Sequence, residues 1–186
     1  NVYSKEMEHD ACGVGLVAST EGKKSRKVVE YGIEALKAVW HRGAVDADGK
    51  TGDGAGIHLE IPKDFFSEKI ELTGHNYDDS EICIGMIFLP RNNYSAQENS
   101  RTLVEKELTK SNFSIYGWRQ VPVNPKVLGE KAERTRPEIT QVLFKHNDKK
   151  LSNKNLEVKL YESRRKIEKE AGIINLNDFY ICSFCS

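Results

Sequence analysis

Cys12 lies in the run Glu8-His9-Asp10-Ala11-Cys12-Gly13-Val14-Gly15. A cysteine becomes a nucleophile when a nearby base takes its proton; packed on a strand it is only a small hydrophobe. Spacing alone leaves both readings open. Further on, His41-Arg42-Gly43-Ala44 leads to Thr51-Gly52-Asp53-Gly54-Ala55-Gly56-Ile57. Glycines at this density permit positive φ and let backbone N–H groups approach a ligand, and they equally make a surface turn. The segment is not a phosphate loop: no Gly-Lys-Ser/Thr follows, and no GxGxxG sits between a strand and a helix. Cys182-Ser183-Phe184-Cys185 has the spacing of half a metal site. A second half is missing, because His9, His41, His58, His75 and His146 are scattered without a His-x-x-x-His type pair. Strand residues three apart also face opposite sides. No metal site is expected.

Composition narrows the classes. The chain has 186 residues, 28 Lys+Arg and 28 Asp+Glu, so the net charge is zero. No positive excess exists to drive phosphate-backbone binding, which argues against nucleic acid as a partner. No run reaches the ~18 apolar residues that a membrane span needs. The longest apolar stretch, residues 82–89, is strand-sized and broken only by Gly85. The first ten residues are too polar for a signal peptide. Four cysteines, at 12, 83, 182 and 185, are too few and too uneven for a secreted disulfide scaffold, and point to a reducing, cytoplasmic setting. A chain of this length buries roughly 70% of its unfolded surface, enough for a core without staples.

The elements that must position these residues follow from periodicity. Residues 12–18 read as a buried strand. Ser25 is an N-cap for a helix reaching Trp40, with Val29, Ile33, Leu36 and Trp40 on one face. Residues 41–56 form a Gly/Asp-rich loop, and 57–61 alternate as a half-buried strand stopped by Pro62. Residues 82–89 predict a central strand ended by Pro90. A short helix is expected around 101–108, strands at 113–123 and 139–144, a helix at 156–171 and a last strand at 179–184. On that helix Leu156, Leu160, Arg164, Ile167 and Ala171 share a stripe. Lys145 to Lys154 reads as a solvated loop, and Trp40 and Trp118 as core aromatics. The order, β-α-β-β-α-β-β-α-β, favours a layered α+β fold over a doubly wound sheet. The chain stops at Ser186, in or just after a strand, so the expected fold is truncated at its C-terminal end.

Taken as an ordered set, these motifs resemble the glutamine amidotransferase domain of the glutamate synthase family. This is a class II, N-terminal-nucleophile (Ntn) amidotransferase. The likeness runs on through Gly117-Trp118-Arg119-Gln120-Val121-Pro122-Val123 and Thr135-Arg136-Pro137-Glu138-Ile139-Thr140-Gln141-Val142. It continues in Lys159-Leu160-Tyr161, Arg165-Lys166-Ile167-Glu168-Lys169-Glu170 and Phe179-Tyr180-Ile181-Cys182-Ser183. It covers nearly everything from Glu8 to Ser183. The long insertion carrying Gly117 to Val142 argues against phosphoribosyl-amine and asparagine synthetases.

The resemblance implies part of an αββα four-layer Ntn-hydrolase sandwich. Residues 1–11 would be a propeptide, and 12–186 the N-terminal portion of a type 2 amidotransferase domain. Its removal would leave Cys12 as residue one. A thiol near pKa ~8.5 beside an α-amine near ~8 can pass its proton to that amine. An Ala11–Cys12 amide cannot accept it, and general-base help is worth ~10²–10⁴ in rate. Arg42 would position the terminal residue, with Gly43 letting the backbone pass close by. Asp53 either orients Arg42 or the amine, or caps the turn. The family's Arg-Phe-Ser-Thr segment and Asn-Gly oxyanion segment do not occur in this sequence. The chain taken alone is therefore expected to be inactive, and a scaffold module of the same fold is the alternative. L-glutamine is the implied substrate. The rest of the synthase chain, and a small reductase subunit or ferredoxin, are the implied partners. No cofactor falls in this segment; FMN and an iron–sulfur cluster are expected in the full-length enzyme.

Overall fold

The computed structural model describes residues 13–40, 43–77 and 82–186. They fall into two units, one comprising the chain up to Glu60 together with Pro125–Thr135, the other Ile61–Asn124 with Arg136–Ser186.

The second unit is built on an antiparallel sheet of β1 (Cys83–Leu89), β2 (Phe113–Gln120), β3 (Glu138–His146) and β4 (Tyr180–Cys185), in the order β2-β3-β1-β4. The apolar run from residue 82 is indeed an interior strand. It pairs with β3 from Cys83↔Phe144 to Leu89↔Glu138 and with β4 on its other side. Alternation sorts its side chains. Cys83, Ile87 and Leu89 join Val142, Phe144 and Ile181 on one face. Two helices cover that face, α3 (Tyr94–Lys110) through Leu103, Val104 and Leu108, and α5 (Asn153–Ile173) through Leu156, Leu160, Ile167 and Ala171. On the other face Ile84, Tyr116 and Leu143 meet Phe66 and Ile70 of α2 (Lys63–Glu71). Helices against an antiparallel sheet are the α+β arrangement that the sequence predicts.

Several elements differ from expectation. Helix α3 begins at Tyr94, because Asn93 caps it by accepting from the Ala96 N–H at 3.0 Å. Its buried stripe includes Gln97, Ser100 and Glu107, which hide the apolar period. Gln97 Nε2 donates to the Pro90 carbonyl at 2.7 Å, tying the helix to the end of β1. On α5 the buried residue is Ser163 rather than Arg164; the Ser163 hydroxyl bonds back to the Lys159 carbonyl at 2.8 Å. Helix α2 lies behind Pro62, which sits at its N-cap rather than ending a strand. Each long helix ends on an asparagine with positive φ just past its cap, Asn112 (66°) and Asn175 (57°).

In the first unit Ser25 accepts from the Lys27 N–H and opens α1 (Arg26–Ala38), as expected. Two strand expectations fail. Residues 13–18 and 57–61 pair with no strand among the described residues, and Val14 is 92% exposed. Alternation makes a strand only where a neighbour supplies the ladder of hydrogen bonds. Trp40 is no core residue: it is 74% exposed, lying beyond the α1 cap at Val39. Trp118 is half-buried against the core and donates from Nε1 to Glu105 at 2.7 Å. The unexpected six-residue α4 (Glu130–Thr135) also belongs to this unit.

Gly85 marks the tightest point of the sheet. A Cβ there would lie 2.6 Å from Phe184 Cε1 and 2.7 Å from Val142 Cγ1. Gly85→Ala should therefore cost roughly 1–3 kcal/mol by overpacking. Adding Phe184→Leu should recover much of the loss. Urea unfolding of the parent and the two variants checks this, and a Gly85→Ala protein as stable as the parent contradicts the packing described.

Candidate functional site

Helix α1 delivers the chain to Trp40 and so to the His-Arg-Gly motif. Cys12, His41 and Arg42 lie outside the described residues. Of the expected site residues, Gly43 and Asp53 are described, and the structure brings them together. A Cβ on Gly43 would sit 4.0 Å from Asp53 Oδ2 and 3.4 Å from the Trp40 carbonyl. The Gly43 N–H donates to that carbonyl at 3.0 Å.

Residues 43–53 form a closed hairpin. Val45 and Gly52 make an antiparallel bridge. A turn closes where the Gly49 N–H reaches the Asp46 carbonyl at 2.9 Å, with Gly49 at φ 68°, a conformation that favours glycine. Asp48 holds the tip. Its carboxylate accepts from the Lys50 N–H at 2.9 Å, the Thr51 N–H at 2.7 Å and the Thr51 hydroxyl at 2.6 Å. Asp53 holds the base, with Oδ2 accepting from the Ala44 N–H at 2.8 Å. A Cβ on Gly52 would approach the Ala44 carbonyl to 3.3 Å, so the two arms run close.

Most of the hairpin's amides are satisfied locally. The N–H groups of residues 43, 44, 46, 47, 49, 50, 51 and 53 all donate within this stretch or to Trp40. The expectation that its glycines free N–H groups for a ligand is therefore not met by these amides. Asp48 has its pKa lowered to about 2 by the Thr51 hydroxyl and the Thr51 and Lys50 amides. Asp46 is lowered too, first by Lys131 and then by the Ala47 amide. Sequence reasoning passed over Asp46, Asp48 and Thr51. The Asp48-to-Thr51 spacing is a recognisable local turn signal, whereas the reach of Lys131 across 85 positions is invisible in sequence.

Among the described residues no three His, Cys, Asp or Glu side chains gather to hold a metal ion. Cys83 is buried in the core, while Cys182 is exposed and Cys185 half-buried. An iron–sulfur cluster therefore finds no ligand set in them. No described helix is long and apolar enough to cross a membrane.

The family pattern for glutamine amidotransferases class-II matches residues 12–186, beginning on Cys12. The chain belongs to the class II glutamine amidotransferases. It is 55% identical over 98% of its length to the glutamate synthase [NADPH] large chain of Azospirillum brasilense. It is 37% identical over 98% to the ferredoxin-dependent glutamate synthase of Pyropia yezoensis. The glutamate synthase [NADPH] large chain of Bacillus subtilis is 35% identical over 100%. In each case the chain spans 12% of the relative. As an amidotransferase, it shows the expected mixture of helices and antiparallel sheet.

The depressed Asp48 pKa fixes a sign. Its contribution to hairpin order is present above the usual 3.8 and is lost as pH falls through about 2. Carbon-13 NMR of the Asp48 carboxyl should show a midpoint near 2, and Thr51→Val should raise it. A midpoint at or above 3.8 would contradict the clasp.

Proposed function

We propose that this chain is the glutamine-hydrolysing portion of a glutamate synthase, with Cys12 as nucleophile. The observation that carries the reading is the family match that starts on Cys12 and runs to residue 186. The 55% identity to a glutamate synthase large chain supports the choice among class II enzymes.

Residues 1–11 are read as a propeptide. Once they are gone, the Cys12 α-amine takes the thiol proton and the thiolate attacks the glutamine side-chain carbonyl carbon. The C–N bond breaks, the proton returns to the leaving nitrogen and ammonia departs. A γ-glutamyl thioester remains. Water then attacks it, giving one proton to the amine and restoring the thiol as glutamate leaves. Arg42 is the positioning residue beside the nucleophile, and Gly43 allows its close approach. For Asp53, the bond from Ala44 supports the turn-capping role. The hairpin amides that already donate within the hairpin support an oxyanion donor other than themselves; such a donor is worth ~2.7–4 kcal/mol.

In the whole protein the released ammonia aminates 2-oxoglutarate, with FMN and an iron–sulfur cluster held outside this segment. The electrons come through a reductase subunit or ferredoxin. A reducing cytoplasm suits a catalytic thiol.

In the complete enzyme, Cys12→Ala should abolish glutamine-dependent glutamate formation while ammonia-dependent formation persists. Substantial glutamine-dependent turnover in that variant would refute the assignment.

A further inference from the structure

We draw no further inference here: the strongest candidate, the open groove between the C-terminal half of α5 and the start of β4 where Arg164 and Arg165 stand beside Phe179 and Tyr180, carries nothing, because the Glu168 carboxylate already holds both guanidinium groups and nothing in the structure shows what covers the apolar wall.

Discussion

Asp48 and Asp53 of the Gly/Asp-rich hairpin are committed to the hairpin itself. Asp48 accepts three donors at the tip and Asp53 one at the base. Everything else about the site follows from that commitment. A carboxylate whose pKa is drawn down to about 2 is a poor proton acceptor from a thiol near ~8.5. Asp48 is therefore a fastener and not a base. Amides already donating inward are likewise spent as oxyanion donors. In the proposed mechanism the hairpin supplies shape and position, and the proton acceptor lies elsewhere.

Shape in turn depends on glycine. Gly49 turns the tip with positive φ, Gly52 lets the arms close and Gly43 leaves the corner open toward Asp53. Backbone rigidity of this sort costs no apolar burial, which suits a segment whose residues are mostly exposed. The sheet unit works differently. It is held by alternating side chains sandwiched between α2 on one face and α3 with α5 on the other.

Local signals carried well from sequence to structure where one segment contains its own reason. The run at 82–89 is apolar enough to be nothing but an interior strand, and Ser25 announces α1 through its side-chain oxygen. The Cys12, Arg42 and Asp53 constellation is an expectation drawn from ordered motifs, and Cys12 and Arg42 lie outside the described residues. Failures came where the reason is distant. Residues 13–18 read as a buried apolar strand and 57–61 as an alternating one, yet neither has a partner strand among the described residues, and polar Gln97, Ser100 and Glu107 disguise the buried face of α3. The bond from Lys131 to Asp46 of the hairpin joins segments that no short-range pattern connects.

In the proposed mechanism the freed amine of Cys12 takes the thiol proton, and a Cys12 blocked as an amide would lose that acceptor. The direct measurement is the intact mass of the N-terminal peptide from enzyme that is hydrolysing glutamine. This account predicts a chain beginning at Cys12. Enzyme still carrying residues 1–11 and turning over glutamine at the full rate would contradict it.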